Sequence, residues 1–561
     1  MASSFVTNAA IAAHKPPSKQ DIIRRDAKFH PTIWGDHFIQ YSDTPIDPPQ
    51  NVVARMEDLK KQVREMLRDT NLDISLIDWI QRTGIAYHFE EEIAEGLKHV
   101  YEASTMTTDS SKYLERFDLR HIALRFRLSR QQGYHLSTDV FERFMDEGDK
   151  FKQSIANDIE GMLSLYEASY MSVKGEAILD EALAFTSKNL KATLPNLTGS
   201  LAQQVECALE IPLHRCTDLV KARRSISCYE NKKGRNEVVL ELAKLDFNLL
   251  QAVHQRELAL LTSWWNELGA ATNLPFTRNR VVELYFWVLE VLSKPEHARA
   301  REIMVKNIIM ASILDDVYDI YGTLEELQLF TSALERWDLQ APEQVSNTIK
   351  TAYSIVLRVF KESEDLLKPH EVYRVRYARK ALIPYIKAYF LEAKWFYSHY
   401  YPSFEEYMDN ALVTCGYPYL FLVSLVGLDE ITAKDVFEWA IKRQNIVVAA
   451  SIICRNRDDI VGHKEEQERG DSPSGVQCYM KDHGCTEEEA CMALQAMVDD
   501  AWKDINYELL HETSVPKAIL MRAVGLARVI SILYQYRDGY SDPTHETKAH
   551  VTQVFVQPIP L

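Results

Sequence analysis

The sequence predicts an all-α protein built from two helical domains, and three observations carry that expectation. Glycine and proline are sparse, at 19 and 20 of 561 residues, and they gather between periodic segments. Within those segments apolar residues recur at steps of three and four, the spacing of one helical face, while strand-like alternation is scarce. A polar, charged stretch, Ser225–Asn236 (SISCYENKKGRN), interrupts the pattern and marks the expected joint between residues 1–236 and 237–561.

Taken in order, residues 1–20 carry serine and no acid, as transit peptides do. They also lack arginine and an apolar core of signal-peptide length, so residues 1–23 are expected to be a disordered leader. The proline-rich Tyr41–Gln50 (YSDTPIDPPQ) reads as extended surface chain. Helical periodicity runs through Asp78–Tyr87 into Glu90–Tyr101, and again through Ala177–Leu190. It resumes beyond the joint at Val238, Val239, Leu242, Leu245 and Leu249. A long apolar helix is expected over Phe437–Cys454. No fixed-period repeat is present, which argues against a solenoid.

Composition excludes several function classes. With 64 basic against 81 acidic residues the net charge is −17, unlike a nucleic-acid surface, which needs a basic stripe. No run approaches the ~18 uncharged apolar residues of a membrane-spanning helix. The cysteines (207, 216, 228, 415, 454, 478, 485 and 491) form no C-x-x-C and read as reduced thiols of a cytosol-like compartment. No H-E-x-x-H, P-loop, G-x-G-x-x-G or G-x-S-x-G occurs.

Two acidic clusters remain. Asp315-Asp316-Val317-Tyr318-Asp319 follows a charge-free run containing Ile308, Ile309, Met310, Ile313 and Leu314. On an α-helix Asp315 and Asp319 share a face and Asp316 lies about 100° round. Hard oxygen ligands on one face suit Mg²⁺, which takes one or two carboxylates and fills its other positions with water and phosphate. In the second cluster Asp458 and Glu466 stack two turns apart, with Gly462 between them offering no ligand, while Lys464, Glu465 and Gln467 face solvent. Acids alone also fit a solvated helix end. Arg278 and Arg280 in a segment led by Pro275, and Arg455 one turn before Asp458, tip the reading toward a metal-bridged diphosphate, because guanidinium groups grip phosphate in bidentate fashion. A break at Val413–Pro418 frees backbone carbonyls inside an apolar run: Pro418 cannot donate to Thr414 and Gly416 weakens the turn. Trp287, Tyr321, Tyr534 and Tyr540 are candidates to line a cavity, since ring faces attract cations. Trp264 and Trp265 read as packing.

These residues resemble the plant class I terpene synthases. The resemblance rests on DDVYD at 315–319, RNR at 278–280, and DDIVGHKEE at 458–466 beside the family's (N/D)Dxx(S/T)xxxE. Arg24-Arg25 followed by Trp34 is similar to RRx8W, and KLDFNLLQAVHQREL (244–258) and DGYSD (538–542) look alike too, so essentially the whole chain is covered. It implies a non-catalytic N-terminal α-barrel and a C-terminal class I α-bundle holding the active site. No D-x-D-D in the first half supports a protonation-initiated cyclase.

By carry-over, Asp315, Asp316, Asp319, Asp458 and Glu466 bind Mg²⁺, three ions in all, with Mn²⁺ as an alternative. Gly462 departs from the family's Ser or Thr and acts through a water. Arg278 and Arg455 bind diphosphate, with Arg280 supporting and Asp458 in contact, and Trp287 and Tyr540 face the substrate. Asp315, Asp319, Arg278, Arg455 and Tyr540 carry the catalysis. Ordering of a 460–475 loop and of residues near Asp538–Tyr540 excludes water. Because only 23 residues precede Arg24, the resemblance favours a cytoplasmic, monomeric sesquiterpene synthase on farnesyl diphosphate. The alternatives are a monoterpene synthase on geranyl diphosphate, to which RRx8W points, a chain-elongating prenyltransferase, and a non-enzymatic helical module.

Overall fold

The computed structural model describes residues 24–25, 27–44, 48–69, 72–105, 115–429 and 434–561; the expected leader lies outside the described residues. Among these, the single extended pairing is one bridge between Met145 and Phe151, and helices make up the rest of the regular structure. No helix is long and apolar enough to cross a membrane among the described residues.

The first bundle packs Leu59, Val63, Ile77, Ile80, Phe89 and Leu97 against Val239, Leu242 and Phe247. Three expected segments are refined here. The helix over Asp78 ends at Arg82, because the chain turns at Gly84 (φ +85°), where a Cβ would lie 2.9 Å from that of Ala222; Ala86–His88 is a 3-10 turn and Glu90–Thr105 a new helix. Tyr41 closes a 3-10 helix, His37–Tyr41, and Gln50 opens an α-helix, so both ends of the stretch expected to be extended are helical. Ser225–Glu230 belongs to helix Asp218–Glu230, leaving Asn231–Asn236 as the turn.

At that turn the Asn236 side chain accepts hydrogen bonds from the backbone N–H groups of Val238 and Val239 (3.0 and 3.2 Å) and so caps helix Glu237–Glu267. This 31-residue helix serves both cores. Its first half packs in the N-terminal cluster, while Leu258, Leu261, Trp264 and Trp265 belong to the second, so the two tryptophans are packing residues as expected. The C-terminal tail returns to the same helix: Gln251 and Gln255 donate to the carbonyls of Val554 and Phe555 (2.8 and 2.7 Å).

In the second bundle, helices Val281–Val291, Ala298–Asp316, Tyr373–Ser398, Phe404–Thr414, Tyr417–Ser424, Asn445–Arg469 and Lys517–Leu533 surround one apolar core. The long helix expected over Phe437–Cys454 is two helices, Lys434–Ala440 and Asn445–Arg469. Polar Lys442-Arg443-Gln444 turns at the surface instead, and the Gln444 amide donates to the Trp439 carbonyl (2.6 Å). Nor does a loop begin at 460. The helix continues to Arg469 and stops at Gly470 (φ +76°), a left-handed cap that glycine adopts without strain. The break before Pro418 is real. Helix Phe404–Thr414 ends there, Gly416 (φ +79°) reverses the backbone, and the Thr414 carbonyl accepts instead from the Tyr389 hydroxyl (3.1 Å).

Candidate active site

A cavity of about 250 Å³ opens into the second bundle, and both acidic clusters lie on its wall together with Trp287, Ile308, Tyr385, Tyr389, Leu420, Tyr534 and Tyr540. Helix Ala298–Asp316 delivers the first cluster. Its end widens into a π-helical turn, Val317–Tyr321, closed by the Gly322 N–H on the Val317 carbonyl (2.9 Å). The wider turn keeps Asp315 and Asp319 on one cavity wall, Asp319 on its exposed side.

Arg278 closes on this cluster from a separate loop. Its backbone N–H and guanidinium both bind Asp316 (each 2.9 Å), and its Nη2 also pairs with Asp315. The guanidinium lies between the rings of Phe29 and Tyr540, 4.6 and 4.9 Å from their centres. Asp316 is only 1% exposed; its Oδ2 accepts from the Arg278 N–H and its Oδ1 lies 2.9 Å from the guanidinium without a hydrogen bond, so it anchors the loop while still bordering the cavity.

Helix Asn445–Arg469 supplies the second cluster. Arg455 Nη1 lies 3.2 Å from Asp458 and 3.7 Å from Asp459. Asp459, 1% exposed, accepts hydrogen bonds from the Tyr407 hydroxyl (2.8 Å) and the Gly475 N–H (3.1 Å), tying three helices together. Gly462 sits between the cavity acids: a Cβ there would stand 3.3 Å from Glu466 Oε1 and 3.8 Å from Asp458 Oδ1. Lys464, Glu465 and Gln467 are exposed, as their spacing predicts.

Arg280 and Tyr321 depart from expectation. The Arg280 guanidinium is spent on backbone carbonyls, those of Tyr540 (2.8 Å), Ser541 (2.6 Å), His30 (2.6 Å) and Asn279 (3.0 Å), and it does not border the cavity. It is a strut that pins the N-terminal segment and the 538–542 loop beside the site. Tyr321 stacks on Phe276, 4.4 Å between ring centres, outside the cavity wall. Trp287, Tyr534 and Tyr540 do line it, the Trp287 ring edge-on to both tyrosines at 6.1 and 6.0 Å. Tyr540 is further fixed by a hydroxyl hydrogen bond with Ser312.

Sequence reasoning gave no site role to Glu392, Arg25 or Tyr407. Glu392 borders the cavity and accepts from Thr414 Oγ1 (2.8 Å) and Asn410 Nδ2 (3.1 Å), which links the helix break to the acidic end. Its signal was a lone carboxylate at helical spacing from Tyr385 and Tyr389. Arg25 donates to the Asp319 carbonyl (2.8 Å) and pairs with Asp471 (2.5 Å), bridging the first cluster to the loop after Arg469. Arg24 pairs with Glu326 (2.8 Å), and Trp34 Nε1 donates to Glu283 (3.1 Å). The Arg-Arg and Trp of the N-terminal motif therefore both dock on the second bundle.

Electrostatics favour a cation here. Burial pushes Asp458 up to about 7 despite Arg455, with Asp538, Asp459 and Asp315 adding repulsion. Burial likewise raises Glu392 to about 7 and Asp316 to about 6, and Asp319 and Glu466 go well above the usual carboxylate range. Crowded acids of this kind gain from a divalent ion. Among the described residues no three acidic, histidine or cysteine side chains converge as a ready cage.

Paired helical domains with an acid-lined, aromatic cavity in the second define a metal-dependent enzyme class, and comparison with known proteins says which. The family model described as "Terpene synthase family, metal binding domain" matches residues 266–504, and "Terpene synthase, N-terminal domain" matches 33–209. The chain is 91% identical to "Terpene synthase 3" of Piper nigrum over all of both chains. It is 45% identical to (-)-germacrene D synthase of Vitis vinifera, covering 97% of this chain and 98% of that one. Among solved structures, limonene synthase with 2-fluorolinalyl diphosphate aligns with a TM-score of 0.89 at 31% identity, over 96% of this chain and all of that one. Grey poplar isoprene synthase with three Mg²⁺ ions and dimethylallyl-S-thiolodiphosphate gives 0.85 at 32%, over 94% and 99%. The chain belongs to the terpene synthase family. It is a lyase whose C-terminal domain depends on a divalent metal.

Proposed function

We propose that this protein is a sesquiterpene synthase that ionises farnesyl diphosphate and releases a C15 terpene and diphosphate, with residues 237–561 as the catalytic domain. The observation that carries the reading is the placement of two arginine-neutralised acid clusters on the wall of one aromatic cavity. The choice of C15 rests on a relative named for that class, "Sesquiterpene synthase 2" of Toona sinensis, 45% identical over 97% of this chain and 98% of that one.

Asp315 and Asp319 on one side, and Asp458 and Glu466 on the other, are the residues that would hold Mg²⁺. Bound there, Mg²⁺ supplies positive charge that offsets the charge of departing diphosphate. Arg278 and Arg455 are positioned to exchange their carboxylate partners for diphosphate oxygens and hold the leaving group by charge-assisted hydrogen bonds. The rings of Trp287, Tyr534 and Tyr540 stabilise the resulting cation through their faces. Arg25, joining the Asp319 carbonyl to Asp471, draws the Gly470–Ser474 loop over the mouth and keeps out water that would quench the cation.

Purified protein supplied separately with farnesyl and geranyl diphosphate and Mg²⁺, with volatile products read by gas chromatography and mass spectrometry, tests the reading. The expected result is C15 product with the higher kcat/KM on farnesyl diphosphate. Exclusive turnover of geranyl diphosphate would replace it with the monoterpene reading, which the docked Arg24–Trp34 segment favours. Longer prenyl diphosphates without free hydrocarbon would identify a prenyltransferase.

A further inference from the structure

Two cysteines of the cavity wall have no part in ionisation. Cys415 sits at the helix break and Cys454 on helix Asn445–Arg469, and both border the substrate cavity as free thiols. The two thiols are near enough to perturb each other's ionisation, and Cys415 donates to the Leu412 carbonyl (3.5 Å). Cys454 is immediately followed by Arg455, the local positive charge. Two neighbouring thiols on one cavity wall differ from Cys216 and Cys478, which are buried and do not border that cavity.

We propose that Cys415 and Cys454 form a paired-thiol modification site inside the substrate cavity, which a peroxide converts to a disulfide. The Cys415 thiolate attacks one peroxide oxygen; the S–O bond forms, the O–O bond breaks, and hydroxide leaves. The Cys454 sulfur then attacks Cys415; the S–S bond forms, the S–O bond breaks, and the hydroxyl departs as water with the Cys454 proton. Two thiols and one hydrogen peroxide give one disulfide and two waters. The roles follow from the surroundings. Burial opposes ionisation of Cys415, but the neighbouring Cys454 thiol and the Arg455 charge outweigh it and bring the thiol down to about 7. Cys454 moves up, through burial and through the neighbouring Cys415, and stays protonated until the second step. The product locks the helix break to the helix that carries Arg455 and Asp458, so it changes both the cavity contour and the diphosphate end.

Peptide mapping of the full-length protein after hydrogen peroxide and alkylation of the remaining thiols reads the linkage without turnover, and so stands apart from the choice of substrate. The expected result is a peptide containing Cys415 joined to one containing Cys454, released by dithiothreitol. In parallel, most of the turnover is lost and returns with dithiothreitol, and that reversible part is absent from Cys415→Ser and Cys454→Ser. Finding both cysteines alkylated or separately over-oxidised with no linked peptide in the wild-type protein overturns the proposal. So does a reversible loss that persists in Cys415→Ser.

Discussion

The two acidic arms use the same pair of residues in the same way. In Asp315-Asp316 and in Asp458-Asp459 the first aspartate is accessible to the cavity, while the second is 1% exposed and works as an anchor. What differs is how each arm is held. The second is a regular helix: Arg455 precedes Asp458 by one turn, and Asp459, 3.7 Å from the same guanidinium, is also hydrogen-bonded by Tyr407 and Gly475. The first ends in a π turn, and its arginine arrives from a distant loop that Asp316 alone ties down by backbone and side chain. A cluster held from within its own helix survives loss of its arginine better than one whose arginine is also the link to another segment.

The largest expected effects test the shared part of that comparison. Asp315→Asn and Asp458→Asn each remove a cavity carboxylate, and kcat/KM should fall by about 10²–10³-fold, the scale of losing one preorganised electrostatic contact in a transition state. Steady-state kinetics at saturating Mg²⁺ checks this. An order-of-magnitude difference between the two variants would show that the arms are not equivalent partners.

Arg278→Ala and Arg455→Ala separate the arms. Arg278→Ala leaves buried Asp316 with only the residue 278 backbone N–H and strips Asp315 of its partner, and removal of one partner from a buried pair costs about 3–5 kcal/mol. Arg455→Ala should cost clearly less, because Asp459 keeps its bonds to Tyr407 and Gly475. Denaturant unfolding of metal-free protein measures both. Equal losses would break the distinction drawn between a loop-held and a helix-held cluster.

The pH dependence follows from the raised acids. Asp458 and Glu392, up to about 7, and Asp316, up to about 6, bind protons in the folded protein at pH values where the unfolded chain has lost them. The contribution of these three acids to metal-free stability should therefore fall as pH climbs from roughly 4 to 7. Mg²⁺ with inorganic pyrophosphate must displace the proton on Asp458, so its stabilisation should be larger near pH 8 than near pH 5.5. Thermal melts with and without both additions decide it. An equal shift at the two pH values would mean that Asp458 does not meet the metal.

What was legible in the chain was local. Asp315, Asp319, Asp458 and Glu466 stood out because short spacings place carboxylates together beside apolar helix, and the break at Gly416–Pro418 followed from backbone chemistry at single residues. What was not legible depends on tertiary contact. Nothing near Arg280 in sequence says that four carbonyls, one from residue 30 and two from residues 540 and 541, will consume its donors. Glu392 and Arg25 join the site only once their helix and segment have docked. The π turn after Asp316 likewise has no residue signature, and the stop at Arg82 is explained by the close approach of Ala222 more than by Gly84 itself.

The smallest effect expected is also the one that bears most directly on the second arm. Gly462 is helical, so a serine there meets no backbone strain and gains roughly half a kcal/mol of helix propensity over glycine. Its Cβ would stand 3.3 Å from Glu466 Oε1, close enough that the carboxylate must give a few tenths of an ångström, and its hydroxyl would fall between Glu466 and Asp458. In Gly462→Ser that oxygen replaces a water as a ligand already in place. The half-saturating Mg²⁺ concentration for turnover should then drop by about threefold, the worth of one ordinary hydrogen bond. Mg²⁺ titrations of turnover and of the thermal midpoint with pyrophosphate present give two readings of the same quantity. If both rise instead, displacement of Glu466 by the added carbon outweighs the new ligand, and the glycine is there to keep that carboxylate in reach of Asp458.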